Sequence, residues 1–225
     1  MSRNACACRF VLLVLLLAQA GSLAGCNIFG FFGVLEQERR RQSTRKVEAE
    51  YRGLEGQKVA VIVDADRELA MTYPSIDEVV HANITERLRA NVPGIEIMST
   101  NEIERIMFNE PALLGRTYDE IAERLEVDRL VVIQLEEFQL FEPGNEYVWD
   151  GRVSGVVLVI EADSFIEEDV RLEEFVTVGF PDLPNVTRDE LPGSTMADQL
   201  VRRFSNRSAW FFYDHRERYE EFQEY

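Results

Sequence analysis

Lys58-Val59-Ala60-Val61-Ile62-Val63 is an apolar run without alternation. A strand that shows one face to water alternates apolar and polar residues; a strand buried on both faces does not. This run therefore predicts an inner strand of a sheet with helices on both sides, and it opens a folded domain at Lys58. Pro74 precedes Ser75-Ile76-Asp77-Glu78, a pattern in which Ser75 caps a helix and Glu78 reaches back to it. Ile76, Val80, Ile84 and Leu88 follow at steps of four, one helical stripe. Pro93-Gly94 stops that helix, and Ile95 to Met98 predicts a second, short strand. Ser99 with Glu102, and Thr117 with Glu120, repeat the capping pattern ahead of two more helices. Ile103, Ile106 and Met107 face inward on the first of these, and Ile121, Ala122 and Leu125 on the second. Leu130 to Leu135 is a third strand.

The pattern then changes. Residues 130–141 and 147–162 are two extended runs around Pro143-Gly144-Asn145, which reads as a hairpin turn. In the second run Tyr147, Trp149, Val153, Val157 and Val159 share one face. Glu136 and Glu137 interrupt the third strand, and its apolar side switches from Val131, Ile133 and Leu135 to Phe138 and Leu140; this predicts a β-bulge, not a pair of catalytic acids. Val170 to Phe180 alternates as another strand. Ser194 is placed to cap a last helix whose inner side is Met196, Leu200 and Phe204. The fold class is α/β (α+β): a mixed sheet in β-α-β-α-α-β-β-β-α order with helices packed on it. One domain spans residues 58–213, and residues 214–225 form a charged tail.

Residues 1–25 have the plan of a secretory signal peptide. Arg3 and Arg9 flank a polar start, and Phe10 to Ala18 is an uncharged apolar run too short to span a membrane comfortably. Leu23-Ala24-Gly25-Cys26 then resembles the lipobox of bacterial lipoproteins. The resemblance implies that Cys26 is lipidated and becomes the first residue of the mature chain; the alternative is an ordinary signal peptide with an incidental cysteine. Residues 26–57 read as the tether of that anchor. Within them Ile28, Phe29, Phe31, Phe32, Val34 and Leu35 either enter the lipid interface or pack on the domain. In lipoproteins sorted by the residue after the cysteine, Asp retains the protein in the inner membrane. Asn27 stands there, which points to the outer membrane.

The 225-residue chain has 24 Lys and Arg. Removing Arg3 and Arg9 leaves 22 basic residues against 41 acidic ones, a formal charge of −19. Such a surface repels nucleic acid. Of the three cysteines, Cys6 and Cys8 leave with the signal peptide, so the mature chain keeps no thiol for a disulfide or a nucleophile.

Four segments together resemble the TolB amino-terminal-like domains, over roughly residues 58–180. They are Lys58 to Val63, the helix of residues 75–90, Ile95-Glu96-Ile97-Met98-Ser99-Thr100-Asn101-Glu102-Ile103, and Ile121-Ala122-Glu123-Arg124-Leu125-Glu126-Val127-Asp128-Arg129-Leu130-Val131-Val132. The group includes the curli-secretion lipoprotein and the lipoprotein activators of penicillin-binding proteins. Val127 departs from the glycine the family often has, and residues 181–225 have no counterpart. The resemblance implies a lipid-anchored envelope protein that binds or assembles other envelope components without catalysis and without a cofactor. It also raises the alternative of a secretion-pore oligomer.

Catalysis has little to work with. His81 and His215 are far apart in sequence, and neither neighbours a serine in a nucleophile setting. His81 lies one position from the apolar stripe and reads as a half-buried or surface histidine. No zinc ligand set is evident. Asp64 and Asp66 follow the first strand, where α/β folds hold ligands, and make a cation-dependent enzyme the second alternative; the plainer account is a solvated loop. Trp210-Phe211-Phe212-Tyr213 are consecutive, so a helix cannot turn all four inward. Trp210 and Phe211 are the candidates for a partner contact, unless the group wraps onto the domain's own edge. The anchor gives the first test: Cys26→Ser abolishes incorporation of labelled fatty acid, and incorporation that persists contradicts the lipobox reading.

Overall fold

The structure, a computed structural model, describes residues 44–142, 144–145, 147–162 and 170–218. The signal peptide, Cys26 and the rest of the lipobox lie outside them. Within Glu48–His215 the chain forms a compact unit. Its sheet has five strands: β2 (Lys58–Ala65), β3 (Glu96–Ile97), β4 (Arg129–Gln139), β5 (Gly151–Glu161) and β6 (Val170–Phe180), in the order β3-β2-β4-β5-β6. β2 runs parallel to β3 and β4; β4, β5 and β6 are antiparallel to one another. The helices are α1 (Arg67–Thr72), α2 (Ile76–Asn91), α3 (Thr100–Asn109), α4 (Tyr118–Arg124) and α5 (Gly193–Trp210). Separately, β1 (Thr44–Val47) and β7 (His215–Arg218) pair as a two-stranded sheet, with Arg45 Nη2 3.8 Å from Glu217 Oε2. These strands fall in stretches that the sequence reads as tether and tail.

Val59 and Ala60, like Val131 and Val132, point to opposite faces, and all four are buried, as the unalternating runs require. On one face Val59, Val61, Val131, Ile133, Val153, Val157, Val159 and Val176 meet Val80, Ile84 and Leu88 of α2 and Met196, Leu200 and Phe204 of α5. On the other face Ala60, Leu130, Val132, Leu158 and Ile160 meet Ile103 of α3, Ile121 and Ala122 of α4, and Leu125 just after it. The row that a pore would turn to lipid is thus taken by the domain's own core at Trp149, Val153, Val157 and Val159.

The bulge sits where the acids interrupt β4. Leu135 pairs with Gly155 and Glu137 with Ser154, leaving the exposed Glu136 as the extra residue. Gly155 is required there: a Cβ on it would stand 2.4 Å from the Gln134 carbonyl oxygen and 3.2 Å from the Phe204 ring. Gly151 plays the same part under Met196 and Leu200 of α5.

Three caps differ from expectation. Ser75 adopts φ 65° and its side chain makes no cap bond. A backbone turn closes that site instead, the Ile76 N–H donating to the Tyr73 carbonyl at 3.2 Å. Ser99 likewise caps through its carbonyl, which accepts from Glu102 and Ile103, and not through its hydroxyl. Ser194 lies inside α5, which starts at Gly193 because the Pro192 carbonyl already accepts the Met196 N–H. The Thr117–Glu120 box forms. Of the turn expected at Pro143-Gly144-Asn145, Pro143 lies outside the described residues; the Asn145 N–H donates to the Glu142 carbonyl at 3.0 Å, and β4 ends at Gln139 and β5 begins at Gly151. Truncation tests the seat of α5. Phe204→Ala costs about 3–5 kcal/mol in a urea melt, as buried aromatic truncations do, and Gly155→Ala lowers the melting temperature; a neutral Gly155→Ala contradicts the close packing.

Candidate functional site

The chain enters the five-stranded unit at one end of the sheet. Tyr51 donates its hydroxyl to Glu161 Oε1 at 2.7 Å, and Arg129 Nε and Arg171 Nε lie 3.5 and 3.3 Å from the same carboxylate. Burial, and then the bond to Glu161, raise the Tyr51 hydroxyl well above its ordinary pKa. Tyr51 N–H donates to the Phe211 carbonyl at 2.9 Å, and Ala49 N–H to Asp214 Oδ1 at 3.2 Å. β5 carries the sheet from Glu161 back to Gly151, about 30 Å at the rise of a strand.

At that far end two loops are tied together. Val148 bridges Thr187; Trp149 N–H donates to the Val186 carbonyl at 2.9 Å and Arg188 N–H to the Tyr147 carbonyl at 3.2 Å. The Trp149 ring is buried, and its Nε1–H donates to the Leu191 carbonyl at 2.8 Å. Buried indole needs such a partner, and here the partner is the opposite loop. The Arg188 guanidinium lies 5.4 Å from the Trp149 ring and 5.8 Å from Phe141. Glu190 accepts from the Thr187 N–H and hydroxyl, and those bonds hold its carboxyl below the usual range. Beside these ties Tyr147 is 83% exposed; Leu183, earlier in the 181–192 loop, is 72% exposed. Both loops thus combine buried anchors with an exposed apolar side chain.

The residues singled out in the sequence are dispersed. Trp210 is half-buried, its ring stacked on His215 at 4.5 Å with Arg207 6.0 Å from its centre. Phe211 is half-buried against the first core cluster, beside the buried Phe212. Asp66 caps α1, its Oδ1 accepting from Glu68 N–H at 2.8 Å, so the supposed solvated loop is a helix start. No group of three or more His, Cys, Asp or Glu side chains among the described residues is placed to hold a metal ion. Glu137 Oε2 accepts from the Ser154 hydroxyl at 3.4 Å. Sequence reasoning passed over the 181–192 loop. Its signal was the Thr187–Glu190 spacing together with a tryptophan just ahead of Gly151.

His81 has a structural post. β3 stops at Ile97, and the period that turns the Val59 carbonyl to the Met98 N–H turns Val61 to the same side. His81 stands half-buried between α2 and α3, against the Val61 carbonyl, with Thr100 Oγ1 3.4 Å from its Nδ1.

No family model matches the chain, and no curated protein matches it. It is similar to the PelC dodecamer subunit from Paraburkholderia phytofirmans (TM-score 0.46, 10% identity, 76% of this chain and 98% of that one). It is also similar to the hypothetical protein CT253 from Chlamydia trachomatis (0.43, 15%, 70% and 98%) and to the lipoprotein GNA1162 from Neisseria meningitidis (0.39, 11%, 66% and 96%). At these scores the likenesses carry no argument about function.

Burial holds the His81 pKa below its ordinary value. Arg89 pushes the same way, while the Val61 carbonyl, Glu104 and Asp77 oppose it. The unfolded chain then binds the proton more readily. Stability from neutral His81 is whole above about pH 6.5 and is lost as pH falls from there to the folded pKa. Urea midpoints measured between pH 7.5 and 5 fall more steeply for the wild type than for His81→Gln; parallel curves contradict the assignment.

Proposed function

We propose that this chain is a lipid-anchored protein of the bacterial cell envelope that works without catalysis, binding other envelope components on the periplasmic face of a membrane, the outer one. The lipobox order Leu23-Ala24-Gly25-Cys26 supports the anchor, and Asn27 supports the outer membrane. The TolB-like pattern of residues 58–180 supports a binding role. Of the polar residues that catalysis would recruit, Asp66 caps a helix and Glu137 accepts from Ser154.

The observation that carries the reading is the braced loop pair. It displays Tyr147 and Leu183 at the end of the sheet away from the Tyr51–Glu161 entry. Exposed apolar side chains on loops that are hydrogen-bonded to one another suit contact with a partner. Tyrosine at such a position is enriched among residues that dominate binding. The bulk of the acid, in contrast, serves solubility, and a basic partner surface complements it.

The test is capture from detergent-solubilised native envelopes with the full-length tagged protein. Tyr147→Ala together with Leu183→Ala weakens capture of the co-purifying protein roughly 30-fold, the effect of about 2 kcal/mol at a hot spot, and leaves the melting temperature unchanged. Capture that survives this pair but is lost in Trp210→Ala moves the site to the carboxy-terminal aromatics. Absence of any co-purifying protein overturns the adapter role.

A further inference from the structure

β6 is the outer strand of the sheet, and among the described residues no strand lies beyond it. A long open edge invites pairing, and proteins blunt such edges with bulges, prolines or covering side chains. Among the described residues β6 is blunted at its two ends. At the start the register slips between Val159 and Ile160 of β5, opposite Leu172 and Val170, and Arg171 turns to Glu161. At the finish Arg203 Nη1 donates to the Gly179 carbonyl at 2.9 Å, with Phe180 and Pro181 behind it. Between them Leu172-Glu173-Glu174-Phe175-Val176-Thr177-Val178 carries no proline, lysine or bulge. At its midpoint Phe175 is 62% exposed.

The open stretch is self-complementary. We propose that β6 is the docking edge for a second copy of this chain, paired antiparallel about a two-fold axis at Phe175. In that register Leu172 opposes Val178 of the other copy, Glu173 opposes Thr177, Glu174 opposes Val176, and the two Phe175 rings meet. No like charges stand directly opposite, whereas axes at Glu173 or Glu174 would set two carboxylates face to face. Residues related by such an axis keep their own faces of the sheet, so the core-side row of Leu172, Glu174, Val176 and Val178 meets its own copy across the join, with each Glu174 opposite a Val176. The pairing ends where Arg171 and Arg203 begin, so the contact is closed and isologous and does not propagate into a fibre. It is a narrow contact, smaller than the roughly 1,000 Å² of a stable complex. Copies held on one membrane surface gain the effective concentration that it needs. The high negative charge opposes association, so added salt tightens the pairing.

This edge is separate from the Tyr147 surface, and Tyr147→Ala leaves it intact. The test uses full-length protein in lipid vesicles, with single-cysteine variants Glu173→Cys and Thr177→Cys, oxidation by copper–phenanthroline, and mass spectrometry of the joined peptides. The expected result is a Glu173→Cys to Thr177→Cys cross-link in the mixture, with at least tenfold less in either variant alone, and loss of dimer in Phe175→Lys without a change in melting temperature. A mixture that gives no such cross-link overturns the proposal. So does equal cross-linking of Glu173→Cys with itself, or a join to a different protein. If the cysteine variants fail to fold, energy transfer between donor- and acceptor-labelled full-length protein on the same vesicles decides: wild type is expected to give transfer that Phe175→Lys loses, and equal transfer for both overturns the proposal.

Discussion

Helix α5 packs directly on β5 over Gly151, and at Gly155 the Gln134 carbonyl of β4 leaves no room for a side chain. A Cβ at Gly151 would stand 2.2 Å from Met196 Cε and 2.6 Å from Leu200 Cδ1; one at Gly155 would meet the Gln134 carbonyl and Phe204. Both glycines lie in the row of Val153, Val157 and Val159, so they form the trough in which the helix rests. Removing that trough would lift α5 off the sheet and uncover Phe204, Leu200 and Met196, which are fully buried. The cost of such a displacement is that of opening a core packed to crystal density.

The position of α5 propagates to both ends of the sheet. At its start a Cβ on Gly193 would stand 3.4 Å from the Trp149 ring, and the Trp149 indole N–H donates to the Leu191 carbonyl. At its finish the Phe211 carbonyl accepts the Tyr51 N–H, which places the entering chain beside Glu161. Arg203, midway along the helix, covers the Gly179 carbonyl and lies 4.7 Å from the Phe180 ring. One helix therefore fixes the entry, the far loops and the closed end of β6. The chemistry that the chain presents is a consequence of where those three features sit.

The two-sided burial of β2 and β4 was legible because unalternating valine and isoleucine runs have one physical meaning. The bulge was legible because Glu136 and Glu137 broke a period. The helix faces were legible for the same reason. The caps at Ser75 and Ser99 were not, since a backbone carbonyl competes with a hydroxyl and only the local turn decides which is used. α1 escaped because six residues are too few to show a period, and Asp66 passes equally for a loop acid. The far-end surface was illegible at Tyr147, which shares the inward row in the sequence but is turned outward by the bridge from Val148 to Thr187. Pairing between loops 40 residues apart leaves no periodic trace.

The central claim is that the Tyr147 and Leu183 surface is built in advance by the loops beneath it. Amide hydrogen exchange of the full-length protein in detergent micelles tests this directly. The Trp149, Asp150 and Arg188 amides, each bonded to a carbonyl at that end of the sheet, are expected to exchange as slowly as the inner amides of β5. Exchange of those three at unprotected rates, while β5 stays protected, would contradict the account.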